Sequence, residues 1–317
     1  MIPLAEIERA REVLRGTAVR TPLLRLNAPE LDAEVYLKLE NLQPIGAFKI
    51  RGAYNAIKQA PPEAIAGGVV TASTGNMAQG VAWSARALGV PATIVVPDNA
   101  PQTKLDAIAR LGGQVVKVSY DEWWQTLVES RAEGIEGFFV HPVQDEPVMA
   151  GNGTIGLEIL EDLPDPDLVI VPWGGGGLFT GIASAIRQLR PQTKLVAADP
   201  ATGAAVSAAV AAGGEPVEVA FAPSFVDGAG ARMLLPTVWA HARELLDDAF
   251  AITLDETAEA IRFLASRARI VAEGAGALST AAVLSDRVRG GKIVCVVSGG
   301  NIEASTLATI LRGETPG

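Results

Sequence analysis

DLVIVPWGGGGLFTGIASAIRQL, residues 167–189, decides the architecture. Its first six residues are an apolar run of the length of a buried strand, bounded by acids and prolines. Four glycines follow, Gly174–Gly177, and a helix-period pattern runs over 178–189. A strand that passes through a short turn into a helix is one step of a parallel sheet, whose strands need crossover connections. The same step recurs on both sides. Before it come an amphipathic helix over 4–15, strand EVYLKLE (34–40), helix 51–59, strand GGVVTAS (67–73), helix 77–88, strand PATIVVP (91–97), helix 102–111, strand QVVKVS (114–119), helix 121–132 and strand GFFVHP (137–142). Both periods pause at DEPVMAGNG (145–153), and helix 154–161 leads into the opening stretch. After it come strand KLVAAD (194–199), an Ala-rich helix, strand FAITL (250–254), helices 255–268 and 274–284, and strand KIVCVVSGG (292–300). This is an α/β chain, and 317 residues exceed what one core usually holds, so two doubly wound domains with mainly parallel sheets are expected. Ligands of such sheets bind at the carboxyl ends of strands.

Composition narrows the function. A net charge of −10 argues against nucleic acid and anionic membrane as partners. The single cysteine, Cys295, lies in an apolar strand, so no disulfide forms within the chain. The opening MIPLAEIERARE has no basic segment followed by an apolar one, and no stretch is long enough to span a bilayer, which leads to the expectation of a cytoplasmic protein. Two histidines, His141 and His241, and no Cys/His cluster leave no expected metal site. No Gly-x-Ser-x-Gly elbow is present. The chemistry therefore calls for an imported cofactor.

Four places could hold one. In KLENLQPIGAFKIRGAYN (38–55), Lys49 sits between Phe48 and Ile50, after a Pro-x-Gly turn and before a helix start. Apolar surroundings favour the neutral amine, a nucleophile towards aldehydes; the bland reading is a snorkelling surface lysine. Ser73-Thr74-Gly75-Asn76 ends one strand and opens a helix, which suits an anion as well as a helix cap. WGGGGL (173–178) lets the backbone approach a phosphate closely at a helix start. A dinucleotide site competes, with Asp199 as its ribose acid, but the third glycine of Gly-x-Gly-x-x-Gly would fall on Phe179 or Thr180. SGGN (298–301) puts the hydroxyl of Ser298 at the same edge, or is an ordinary turn.

In this order, GAFKIRGA, STGNMAQG, the glycine cup and VSGGN resemble the threonine/serine dehydratase group of fold-type II pyridoxal-phosphate enzymes, with serine racemase a close relative. The likeness runs from TPLLRL (21–26) to SGGN. It implies a tryptophan synthase β-like fold, with residues 1–46 and 142–317 as a large domain that binds pyridoxal 5'-phosphate and 47–141 as a small domain. It also implies that Lys49 holds the cofactor as a Schiff base and later shuttles the Cα proton. Phe48 would pack near the ring, Asn76 would bond its 3'-oxygen, and Gly174, Gly175, Gly176 and Gly177 with the Leu178 N–H would hold the phosphate. Ser298 would face the pyridine nitrogen, with Glu273 of EGAGA beside the cofactor. Ser73, Thr74, Gly75, Asn76 and Met77 would bind the substrate carboxylate.

The implied activity is β-elimination from a hydroxy-amino acid, such as L-threonine or L-serine, to a 2-oxo acid and ammonia, by a homodimer or homotetramer. The alternatives are a serine racemase or a 3-hydroxyaspartate-type dehydratase, and from another class a nicotinamide oxidoreductase or a non-catalytic binder. Two positions depart from the family pattern: Met77 stands where a histidine is usual, and Ala47 where a serine is. Thr74 takes the place of the racemase serine. Of the carboxylates that surround a divalent cation in many relatives, Asp227 is present but Pro223 falls at the glutamate. The chain ends 16 residues after Asn301, so no isoleucine feedback is expected.

Overall fold

A computed structural model describes residues 1–316. Among them are ten strands: β1 (Leu23–Arg25), β2 (Glu34–Leu39), β3 (Val69–Ala72), β4 (Ala92–Pro97), β5 (Gln114–Val118), β6 (Phe138–Phe139), β7 (Leu168–Pro172), β8 (Lys194–Pro200), β9 (Asp248–Ile252) and β10 (Lys292–Val297). The helices among the described residues are α1 (Leu4–Leu14), α2 (Lys49–Gln59), α3 (Pro62–Ile65), α4 (Asn76–Leu88), α5 (Gln102–Arg110), α6 (Tyr120–Glu129), α7 (Glu146–Asp162), α8 (Gly177–Leu189), α9 (Ala205–Ala211), α10 (Pro236–Ala242), α11 (Leu254–Phe263), α12 (Gly274–Leu284) and α13 (Ala304–Leu311).

The strands make two sheets, one of order β1-β2-β10-β7-β8-β9 and one of order β5-β4-β3-β6. Only the β1–β2 pair is antiparallel among the described residues. Alternate residues of the central strands enter different layers. Ile170, Ile293, Cys295 and Val297 pack under α11 and α12, whereas Val169, Val171, Val294 and Val296 pack under α7, α8 and α9. A strand covered on both faces must be apolar at every position, which is why these runs lack alternation. Cys295 is fully buried, as its strand setting suggested, and burial pushes its thiol up to about 12. In the smaller sheet α2, α4 and α5 cover one face and α6 the other. Ser119 with Glu122 and Thr253 with Glu256 form reciprocal capping boxes at the starts of α6 and α11.

The structure differs from the sequence reading in several places. GFFVHP yields only the two-residue β6, helix 255–268 breaks into α11 and a π turn at Leu264–Ala268, and α3, α10 and α13 were not anticipated. The largest difference is the pause at 145–153, which is the first half of α7. That helix is buried on nearly all sides, so it lacks the polar face that marks a surface helix. Its glycines serve close approach. A Cβ on Gly151 would lie 2.5 Å from the Arg51 carbonyl oxygen of α2, and one on Gly156 would lie 2.8 Å from the Ile182 carbonyl oxygen of α8. Gly151→Ala is therefore expected to cost about 1–3 kcal/mol through overpacking, read as a lower urea midpoint. An unchanged midpoint would show that the helices can separate freely.

Candidate active site

Strand order reverses at one place in each sheet, and ligands of such sheets bind at the carboxyl ends of the strands there. In the larger sheet the place lies between β10 and β7, which lead into Ser298 and Gly174–Gly177. In the smaller it lies at β3, flanked by β4 and β6, which leads into Ser73. The segment before α2 ties the two together. Ala47 bridges Gly299, the Phe48 N–H donates to the Ser298 carbonyl (3.0 Å), and the Gly300 N–H donates to the Gly46 carbonyl (2.9 Å). Ala47 is fully buried in this pairing.

Lys49 is the first residue of α2 and half-buried. Its Nζ donates to the Pro142 carbonyl (2.7 Å) and lies 5.1 Å from the centroid of the Phe48 ring. Burial lowers its pKa from 10.5 to about 8, with no carboxylate partner to hold the charge. A substantial fraction of this amine is neutral near physiological pH. The sequence reading offered Lys49 as either a nucleophile or a snorkelling lysine, and this geometry is not that of snorkelling.

The glycine turn is a cradle of unpartnered donors. The N–H groups of Gly174, Gly175, Gly176, Gly177 and Leu178 meet no acceptor among the described residues. Gly176 has φ +89°, and a Cβ there would lie 2.6 Å from Cζ2 of Trp173, the buried ring beneath the turn. The turn therefore requires glycine both for its backbone and for space. Amides at the start of a thirteen-residue helix suit a phosphate. A set of anion donors beside an amine whose pKa is lowered by burial fits a phosphorylated aldehyde.

The Ser73–Met77 loop offers a second set. Ser73 Oγ accepts the Gly75 N–H (3.2 Å), while the N–H groups of Thr74, Asn76 and Met77 have no acceptor among the described residues. Met77, expected on the substrate side, instead buries its side chain in the core of the smaller sheet with Val81 and Val148. Only its N–H is left for a ligand. The Asn76 side chain is engaged on both sides, donating to Glu273 Oε1 (2.8 Å) and accepting from Asn301 Nδ2 (2.7 Å). Burial, and then the charge of Asp227, raise the Glu273 carboxyl to about 8, so it is largely protonated at neutral pH. Ser298 is 3% exposed, and its hydroxyl has no partner among the described residues.

Other groups fall elsewhere. Asp199, the acid of the dinucleotide alternative, is fully buried and accepts from the Val206 N–H (2.9 Å) and the Ser207 hydroxyl (2.5 Å) at the start of α9. It is a helix-capping group with no free face for a ribose. Asp227 pairs with Lys104 Nζ at 2.5 Å.

Two features escaped the sequence reading. One is the turn His141–Asp145 after β6, which contacts both Lys49 and the glycine cradle. The strand-end rule, applied to GFFVHP, points to it. The other is a buried ion cluster behind α2: Arg51 binds Glu40 (2.8 Å) and Glu158 (2.7 Å), and Lys38 binds Glu158 (2.6 Å). No local pattern joins Glu158 to Lys38, Glu40 and Arg51, which lie more than a hundred residues before it.

The family described as "Pyridoxal-phosphate dependent enzyme" matches residues 14–299. The chain is 42% identical to a protein of Geobacter sulfurreducens named L-threonine ammonia-lyase, over 98% of this chain and 79% of that one. Among solved structures, maize serine racemase superposes with a TM-score of 0.90 at 31% identity, covering 98% of this chain and 97% of that one. The processed form of threonine deaminase isoform 2 from Solanum lycopersicum superposes with a TM-score of 0.88 at 32% identity, covering 98% and 86%. Two strand reversals, a half-buried lysine and a glycine cradle are thus found in a chain that belongs to the pyridoxal-phosphate dependent enzymes.

Proposed function

We propose that this chain eliminates the β-hydroxyl of a hydroxy-amino acid such as L-threonine or L-serine, yielding a 2-oxo acid and ammonia. The observation that carries this reading is the Lys49 amine, its pKa lowered by burial to about 8, joined through the turn at Pro142 and Val143 to five amides without acceptors. The relatives named L-threonine ammonia-lyase support the substrate class.

In this reading residues 47–141 are a small domain and 1–46 with 142–317 a large one, which agrees with the four-stranded sheet being drawn only from 69–139. Lys49 would form the covalent link to the cofactor, and the amides of Gly174–Leu178 would hold its phosphate. Phe48 would pack near the ring, Ser298 would offer its hydroxyl to the pyridine nitrogen, and Asn76 would bond the 3'-oxygen, with Glu273 beside the cofactor. Pyridoxal phosphate, when bound, supplies the electron sink that makes the Cα proton removable. The chain's own part is orientation and proton transfer. The N–H groups of Thr74, Asn76 and Met77, with the Ser73 hydroxyl, clamp the substrate carboxylate, which fixes the direction of the Cα–H bond. The Lys49 amine then takes that proton at Nζ, as a base with a pKa close to the working pH.

Serine racemisation is the second reading, favoured by the half-buried Thr74 hydroxyl in the carboxylate loop. A dimeric or tetrameric assembly and a cytoplasmic location belong to the same proposal, the first checked by sedimentation.

The test is a panel of threonine, serine and 3-hydroxyaspartate, with 2-oxo acid and product chirality as readouts, with borohydride reduction and peptide mapping done on a separate sample. The pyridoxyl group is expected on residue 49. A label on Lys38 or Lys58, or exchange of a β-substituent with an added thiol but no 2-oxo acid, would overturn the reading.

A further inference from the structure

We propose that His141 is a positioning residue whose neutral ring folds residues 141–145 into a bracket, and that this bracket sets Lys49 against the glycine cradle. The inference rests on the proposed function for what Lys49 does, but its geometry stands by itself.

The ring is 4% exposed, and its Nδ1 accepts two backbone N–H groups, from Val143 (3.1 Å) and Gln144 (3.0 Å). A nitrogen that accepts two hydrogen bonds carries no proton, so the ring hydrogen sits on Nε2, and the Leu127 carbonyl of α6 faces the ring. The other end of the turn is closed by Asp145, whose Oδ2 accepts the His141 N–H (2.7 Å). Held from both ends, the turn points its backbone two ways. The Pro142 carbonyl receives Lys49 Nζ (2.7 Å). Val143 lies against the cradle: a Cβ on Gly175 would lie 2.7 Å from Val143 Cγ1, and a Cβ on Gly177 would lie 2.5 Å from the Val143 carbonyl oxygen. One tripeptide thus holds the reactive amine and the wall of the cradle at a fixed spacing.

A charged imidazole could not serve here, because its Nδ1 would become a donor facing two donors. The setting keeps it neutral: burial first, and then the Lys49 charge, bring its pKa to about 4. The charged and titratable groups around it are Lys49 and Asp145, the latter raised by burial.

His141→Phe keeps a ring but removes the acceptor, whereas His141→Asn keeps an acceptor near the Nδ1 position. Two readouts independent of turnover are taken on the full chain freed of cofactor. The first is the pH midpoint for acylation of Lys49, followed by mass spectrometry; the second is the affinity for inorganic phosphate. In the wild type the midpoint should fall at about 8. In His141→Phe it should rise by roughly one unit as water reaches the amine, and phosphate should bind roughly tenfold more weakly for the lost hydrogen bonds. His141→Asn should restore both. If His141→Phe does not fold, Asp145→Ala, which opens the other end of the turn, should move the same two readouts in the same directions. Unmoved readouts in the folded variant, or an Asn variant no better than Phe, would overturn the bracket. A borohydride label away from Lys49 would sink the proposed function alone, since neither readout depends on it.

Discussion

Lys49→Ala is expected to abolish turnover, with a loss on the order of 10³-fold or more, because one side chain supplies both the covalent link and the base. Cofactor binding should weaken less than turnover, since the cradle amides of Gly174–Leu178 and the carboxylate loop at Ser73–Met77 are unchanged. A change in cofactor absorbance on adding substrate should therefore survive in the variant. The base must be neutral to act, and its folded pKa is lowered to about 8, so activity carried by Lys49 should rise as pH rises through that value. Ser298→Ala makes the contrast: it removes one hydroxyl at the strand end and should weaken turnover without releasing the cofactor. A Lys49→Ala enzyme retaining a tenth of wild-type activity would remove this lysine from the chemistry.

Arg51→Leu is expected to cost about 3–5 kcal/mol of stability, the usual result of leaving a buried charge without its partner. Arg51 is 2% exposed, and its guanidinium donates to Glu40, Glu158, the Thr154 hydroxyl and the Val19 carbonyl. With Lys38 the cluster is neutral: two cations face two carboxylates. Removing Arg51 leaves an excess negative charge around the fully buried Glu40. Burial alone would raise Glu40, but the Arg51 charge and hydrogen bonds outweigh it and hold the carboxyl below its ordinary value. A depressed carboxyl stabilises the fold above its unfolded pKa, and the gain is lost as pH falls through the folded value. In Arg51→Leu the Glu40 pKa should rise, so the protein takes up a proton and the stability gap from wild type should narrow on acidification. Urea unfolding at pH 8 and pH 5 checks this, and a gap that is small, or that widens towards acid, would contradict it.

The ion cluster also shows where sequence reading stopped. Lys38, Glu40 and Arg51 all lie in the stretch that holds Lys49, yet nothing local marks them as buried. Their partner Glu158 arrives on α7, more than a hundred residues later. The first half of α7 was itself read as a pause, because glycines that lower helix propensity look like breaks until the backbones they admit are known. Met77 illustrates the same limit: the family resemblance placed it on the substrate side, and packing turned its side chain into the core.

Much else was legible without coordinates. Continuous apolar runs separated by helix-period segments specify a parallel sheet with both faces covered, since that pattern has few other ways to bury itself. The glycine turn after DLVIVP and the lysine among apolar neighbours were visible as chemistry, because backbone approach and amine desolvation depend on adjacent residues. Their assembly was not. Only the tertiary structure brought Ser298 to Phe48, Asn76 to Glu273 and the His141 turn to both Lys49 and the cradle. Periodicity is a local property that sequence carries directly, whereas contacts between distant strand ends depend on which strands neighbour one another in each sheet.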